Sequence, residues 1–320
     1  MPAQLLFIMG ITLFLLFGFL FGILAGVGYY VGLSGYVIVI LAVLLVAFQW
    51  LIGPKIIWWT TNMHEINKKD YPWLFEMIAR ISKKTKTPMP KKVAVVNTGA
   101  PNAMVFGRTP SSATLAVTRG LLSSLNRDEV EAVIAHELGH IAHRDMVVMT
   151  IAAAIPTIMY FIARFLIFAP SDKNRRNAGS AILIGLAAFL IYFITNLLVL
   201  ALSRIREYYS DRFSASQTRP RNLASALAKI AYGLSTTKEH GNDAARSFYI
   251  ADPLTSSYEM SHFSDKYADL QLSEKELKEA MEWEKKNPFA RISEVFMTHP
   301  LSWKRISILL ELDKESSRKS

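Results

Sequence analysis

His136-Glu137-Leu138-Gly139-His140 is the stretch best equipped for chemistry. Two histidines four positions apart fall on one face of a helix, close enough for both rings to grip one metal ion. The glutamate between them stands about 100° round the helix, free to take a proton from a water activated by that ion. Imidazole suits zinc, and two histidines with one carboxylate leave a fourth position open. The pattern HExxH therefore predicts metal-assisted hydrolysis, with His136 and His140 as ligands and Glu137 as general base.

The helix that must hold these groups is well marked. Asn126-Arg127-Asp128-Glu129 reads as a capping box, with Asn126 as N-cap and Glu129 reaching back. Asp128, Glu129 and Glu131 place negative charge near the positive end of the helix. Val130, Val133, Ile134, Leu138 and Ile141 form an apolar stripe, while Ala132, Ala135 and Gly139 let neighbouring backbone approach. Glycine inside a helix costs up to ~1 kcal/mol relative to alanine, a penalty that a surface helix with two incidental histidines has little reason to accept.

Composition sets the surroundings. The 320 residues are 51% hydrophobic, and the mean hydropathy of +0.23 is too apolar for an ordinary soluble enzyme. Four apolar runs are candidate membrane spans: Leu5 to Val27, Tyr36 to Ile52, Met146 to Phe168 and Ala181 to Leu202. No charge precedes Lys55, and neither a basic start nor a small-residue cleavage site is evident, so the first run is expected to be a retained anchor. Trp50, Trp58 and Trp59 are expected at the interface. With no cysteine, only His, Asp and Glu remain to hold a metal. The net charge of +10 is scattered and comes with no nucleic-acid recognition motif. Positive charge on the cytoplasmic side of a membrane protein accounts for it more simply.

The expected organisation follows. Residues 1–54 carry two N-terminal transmembrane helices, 55–145 a small sheet and the HExxH helix, 146–202 a transmembrane hairpin, and 203–320 a C-terminal helical part. Between spans two and three the pattern predicts a helix from Tyr71 to Lys84. Strands follow at Val93–Val96, Ala103–Phe106 and Ala113–Thr118, with a turn over Asn97–Asn102. This sheet either supports the metal helix or offers an edge to an extended peptide, and the pattern leaves both open. Pro220-Arg221-Asn222 opens a helix to Tyr232. Residues 235–265 read as a polar loop or lid, and Ser273 to Lys286 as a capped helix. Thr298-His299-Pro300 precedes a last amphipathic helix, and Lys314–Ser320 reads as a disordered tail.

The third ligand is a matter of topology. Asp145 is expected on the same helix as His140 but on another face, and His143 fits the same ion poorly. The better candidate is Glu207, in Arg206-Glu207-Tyr208-Tyr209-Ser210-Asp211. If spans three and four form an antiparallel hairpin, Glu207 returns to the side that holds His136 and His140. Their sequence separation, 67 residues from His140, is then the length of the hairpin. Asp211 is one turn beyond Glu207 on the same face, placed to accept the free N–H of a ligating histidine. Otherwise both acids are solvated charges balancing Arg204, Arg206 and Arg212.

HELGH, a hydrophobic hairpin and then REYYSD together resemble the HtpX-like membrane zinc metallopeptidases, relatives of the CAAX prenyl endopeptidases. Pro101-Asn102-Ala103, Thr118-Arg119-Gly120-Leu121-Leu122 and Thr298-His299-Pro300 resemble them too. The resemblance covers most of the chain and is weakest over 235–290. It implies a mainly α membrane protein: four transmembrane helices and a cytoplasmic zincin-like domain with a small β-sheet. It implies one Zn2+ held by His136, His140 and Glu207, with Glu137 as base, in a multi-pass protein of the cell membrane. It further implies cleavage of membrane or misfolded proteins in quality control. His299 matches a family histidine near the site, with a role either on the tetrahedral oxyanion or in packing alone. Asn102 would fix the loop beside the substrate-binding strand.

Three rivals stand against this. An intramembrane site would put Arg127, Asp128, Glu129, Glu131, Arg144 and Asp145 into hydrocarbon at ~2.5–3.5 kcal/mol each. An inactive metal-binding scaffold or regulator would have no need of Glu137. A transporter would want ionisable residues inside its spans, which are almost free of them. Lys173, Arg175 and Arg176, between spans three and four, sit awkwardly with an outward-facing loop.

Overall fold

The structure, a computed structural model, describes residues 2–31, 35–168, 178–233 and 281–319. The loop holding Lys173, Arg175 and Arg176, the polar stretch 235–265 and the capping box at Ser273 lie outside them. The chain divides into two compact units, Met1–Gly53 with Val147–Leu202, and Pro54–Met146 with Ser203–Ser320.

The first unit is built from long apolar helices: α1 (Ala3–Val31), α2 (Gly35–Thr60), α6 (Asp145–Phe168) and α7 (Ala178–Gln217), of which α2 and α7 continue into the second unit and α6 begins in it. Among the described residues Ala3–Leu24, Asp145–Arg164 and Ile182–Gln217 are long and apolar enough to cross a membrane. Phe7, Phe14, Phe161, Leu183 and Leu190 stand exposed on them, a pattern suited to lipid and not to water. The expected second run lies within α2, which continues past Gly53-Pro54, where the sequence predicts an end. A proline removes one backbone hydrogen bond, and apolar helices accommodate that loss. Of the tryptophans expected at the interface, Trp59 is exposed, whereas Trp58 packs on the sheet's core with Lys92 Nζ 4.9 Å from its ring centre.

The second unit holds the sheet and the HExxH helix. The three predicted strands form, as β2 (Lys92–Val96), β3 (Ala103–Phe106) and β4 (Thr114–Thr118). A fourth, β1 (Met63–Glu65), completes the order β1-β2-β4-β3. β2 and β4 are parallel, and both outer pairings are antiparallel. Met63, Ala94, Val96, Met104, Phe106 and Ala116 pack on one face. Val93, Val95, Leu115 and Val117 are buried on the other, which explains why the central strands read as continuous apolar runs. Around the sheet stand α3 (Pro72–Thr85), α4 (Arg119–Ser124), α5 (Arg127–Ala142) and α8 (Pro220–Gly233). The C-terminal helix runs Ser302–Lys319, packed on α8. It therefore continues through most of the tail expected to be disordered, where Lys and Glu are good helix formers and Asp313 pairs with Arg221 at 3.6 Å.

One glycine fixes the joint between sheet and helices. The Gly120 N–H donates to Thr98 O at 3.0 Å, and a Cβ at Gly120 would stand 2.0 Å from Gly99 O. Backbone cannot yield as a side chain does. Gly120→Ala is expected to destabilise this unit by at least the ~1–3 kcal/mol of an overpacked core, read as a fall in the thermal midpoint in detergent.

Candidate metal centre

Helix α5 begins as the sequence predicts. Asn126 Oδ1 accepts from the Glu129 N–H at 2.9 Å, and Glu129 Oε2 accepts from the Asn126 N–H at 2.9 Å. Glu129 does more than cap. It also takes hydrogen bonds from Ser225 (2.6 Å) and Lys229 (2.9 Å) of α8, fastening α5 to the helix beneath it. α5 is buried almost all round, which rules out a surface helix. Gly139 has the purpose its cost implies: a Cβ there would come within 3.2 Å of Ser210 Cα and Phe213 Cβ on α7. The close approach sets α7 beside the two histidines.

α5 stops at Ala142. His143 caps it, and Arg144 adopts a left-handed φ of 59°. Asp145 thus begins α6 and is not on the histidines' helix, contrary to expectation. No glycine marks this break, so the sequence gives no warning of it. The turn brings Asp145 Oδ2 to 2.6 Å from His140 Nδ1, with Ser210 Oγ 3.0 Å from the same nitrogen. The other Asp145 oxygen lies 3.0 Å from Arg206 Nε. His143 faces Tyr209 and Phe213 instead of the site, and burial pushes its pKa down to about 4, keeping it neutral.

The three expected ligands meet. His136 Nε2 and His140 Nε2 are 3.2 Å apart, Glu207 Oε2 is 3.5 Å from the first, and Glu207 Oε1 is 3.4 Å from the second. Donors held ~2.0–2.2 Å from a tetrahedral ion stand ~3.3–3.6 Å from one another, so the spacing fits one divalent ion. Among the described residues this trio is the group able to hold a metal, and all three members are buried. The donor chemistry agrees. Both Nε2 atoms face inward while both Nδ1 atoms have carboxylate partners, Asp145 for His140 and Asp211 Oδ1 at 2.9 Å for His136. Carboxylates on the outer nitrogens fix the tautomer that leaves Nε2 free for a metal.

Charge is balanced by a residue with no place in the sequence argument. Arg305 of the C-terminal helix is fully buried. It donates through Nε and Nη2 to both oxygens of Asp211 (2.8 and 2.7 Å), and its Nη1 lies 3.0 Å from Glu207 Oε2. The reading of Glu207 and Asp211 as solvated charges is therefore wrong; both are inside, neutralised by Arg305, while Arg206 answers Asp145. Arg305 does leave a signal. It stands beside Ile306 and one turn before Leu309 among that helix's buried residues, an ion in a core position.

His299 also reaches the centre, with Nδ1 3.2 Å from Glu207 Oε2. Asn102 is fully buried at the start of β3. Its N–H donates to Thr118 Oγ1 at 2.8 Å, and its carbonyl accepts from the Thr118 N–H at 2.9 Å. The Thr118 hydroxyl also accepts from the Leu121 N–H at 3.1 Å, so one side chain ties the loop before β3 to the start of α4.

Electrostatics follow from burial and these neighbours. Burial opposes a charged His140, but Asp145 and Glu207 outweigh it and raise its pKa from 6.5 to about 10. His136 is raised likewise, against burial, by Asp211 and Glu207. A proton and a metal ion compete for the same nitrogens, so affinity for an ion weakens as pH falls. Burial is the main force on Glu137 and raises its pKa above 4.5, against the pull of the two histidines. Removing an outer partner should be felt at the ion. Asp145→Asn is expected to weaken affinity for a divalent ion about 10–100-fold, measured by competition with a chelating dye.

The chain matches the model of peptidase family M48 over residues 68–313. It is similar to the protease HtpX homolog of Methanothermobacter thermautotrophicus, with 39% identity over 72% of this chain and 88% of that protein. It is 30% identical to the protease HtpX homolog of Methanocaldococcus jannaschii over 95% of this chain and 97% of that one. The crystal structure of S. mikatae Ste24p shares the fold, with a TM-score of 0.52 and 17% identity over 96% of this chain and 67% of that one. The chain belongs to peptidase family M48, among its HtpX-like membrane proteases.

Proposed function

We propose that this protein is a zinc-dependent endopeptidase of the cell membrane that cuts extended segments of membrane or misfolded proteins at the cytoplasmic face. The observation that carries the reading is the inward pair of Nε2 atoms closed by Glu207, with each outer nitrogen backed by a carboxylate. His136, His140 and Glu207 would hold the ion, and Asp211 and Asp145 would orient the rings. A zinc ion bound there supplies Lewis acidity to a water and to the scissile carbonyl.

The remaining work falls to side chains. Glu137 accepts the proton of the attacking water and passes it to the leaving amine. Its raised pKa suits a group that must both take and return a proton. His299 stands beside Glu207, where a donor could steady the oxyanion of the tetrahedral intermediate. Strand β3 closes one end of the sheet and packs against α5, so its outer edge offers backbone pairing to an extended substrate. Asn102 fixes the loop that leads into that strand.

Four membrane crossings, α2 among them, would form a multi-pass anchor. The positive excess of the site-bearing stretches favours a cytoplasmic site, and a site next to spans meets substrates already confined to the membrane. The test is to measure metal content and casein cleavage together on protein in detergent. Treatment with a chelator is expected to remove both, and zinc to restore both; cleavage that survives metal removal would refute the reading.

A further inference from the structure

One surface of the site-bearing unit shows large apolar side chains that its core does not use. In the helix Pro288–Ser293 and the 3-10 turn Glu294–Phe296, Ala290 faces inward and clusters with Met297 and Leu301. The outer side presents Phe289 (64% exposed), Ile292 (65%), Val295 (43%) and Phe296 (57%). Phe289, Ile292 and Phe296 are spaced by three and four, so they share a face. Single exposed apolar residues need no explanation; a contiguous run of four does.

Arg204 fixes the level of this run. Its Nη1 donates to the carbonyls of Glu294 (2.9 Å), Val295 (3.2 Å) and Met297 (2.8 Å). Arg204 is the second residue past Leu202, where the apolar stretch of α7 ends, and α7 is one uninterrupted helix through both. At 1.5 Å per residue the guanidinium's backbone lies about 3 Å beyond that end. If the apolar stretch of α7 lies in hydrocarbon, the carbonyls bound by Arg204 belong at the level of headgroups. Charge fits that level. Among the described residues Lys285, Lys286 and Arg291 are exposed beside the run, against one exposed acid, Glu282, which lies 3.6 Å from each lysine. Cations flanking an apolar face suit an interface with anionic lipid.

We propose that Phe289, Ile292, Val295 and Phe296 form a wedge seated in the bilayer interface, with Arg204 as its tether. The proposal is independent of peptide hydrolysis but rests on the apolar stretch of α7 lying in the bilayer. His299 follows Met297 by two residues, so the wedge and this histidine share one clamped turn. Insertion would set the height of the site over the membrane.

The chain has no cysteine, so single cysteines can be labelled cleanly in the full protein. Phe289→Cys and Ile292→Cys would carry the fluorophore NBD in nanodiscs of phosphatidylcholine with phosphatidylserine. Leu190→Cys, exposed on α7, reports hydrocarbon, and Ser111→Cys reports water. With doxyl-labelled lipid present, labels at 289 and 292 are expected to lose emission to an extent comparable with position 190, and to resist aqueous iodide. Emission and iodide quenching like those at position 111 would overturn the wedge. Shielding from iodide without quenching by doxyl lipid would also overturn it, since protein and not lipid would then cover the face. If the label at 190 is itself unquenched, the membrane placement of α7 fails and the wedge with it.

Discussion

Glu137→Gln should leave a folded protein that holds its full complement of zinc and cleaves almost nothing. Glutamine keeps the shape and the acceptor oxygen but cannot take a proton at any working pH. General-base removal typically costs about 10²–10⁴-fold in rate, so kcat is expected to fall by that much with KM little changed. The fold should tolerate the change. Glu137 is 3% exposed, and neither a hydrogen bond nor an ion pair joins it to the other described residues, so no partner is orphaned. Its nearest electrostatic neighbours, His136 and His140, act on it through space. Metal content should therefore match the wild type. Wild-type turnover in this variant would show that Glu137 is not the base, and loss of metal along with activity would show that it supports the ion.

How much of this could be read beforehand depends on whether a feature is local. The start of α5 was legible because the capping box is written within four residues. The strands were legible because burial on both faces leaves unbroken apolar runs. Glu207 is legible at long range only through topology, because a hairpin of two apolar runs would return the chain to its starting side. Arg305 is not legible in this way: it meets Asp211 across 94 positions, and no spacing rule links them. The sequence pattern carries Asp145 on along the histidines' helix, because Arg144 takes a left-handed turn that composition associates with glycine. β1 has three residues, too few for an alternation to show. The apolar surface at Phe289–Phe296 starts only at the end of the stretch 235–290, where the family resemblance is weakest, and the Arg204 hydrogen bonds give it a location.

Glu207→Gln should strip the centre of its ion while leaving the helices in place. The carboxylate supplies the single negative charge among the three proposed ligand side chains, and its two oxygens lie 3.5 and 3.4 Å from the two Nε2 atoms. An amide offers a neutral oxygen of the same shape and a much weaker bond to a divalent ion. Loss of an outer partner of a ligand already costs about 10–100-fold in affinity, and loss of the ligand itself should exceed that. The change also removes one of two anions beside Arg305, so the buried guanidinium keeps only Asp211. Breaking a buried pair can cost ~3–5 kcal/mol; retention of the Asp211 bonds should hold the loss below that. Two readings separate the effects. Zinc per chain should drop sharply at micromolar free metal, and the thermal midpoint of the metal-free protein should fall only modestly. Double substitution with Asp145→Asn tests the competing ligand. Asp145 lies against the outer nitrogen of His140 and is held by Arg206, so it cannot replace Glu207 without breaking both contacts. Full zinc occupancy in Glu207→Gln, lost only when Asp145 is changed as well, would move the third bond from α7 to the start of α6.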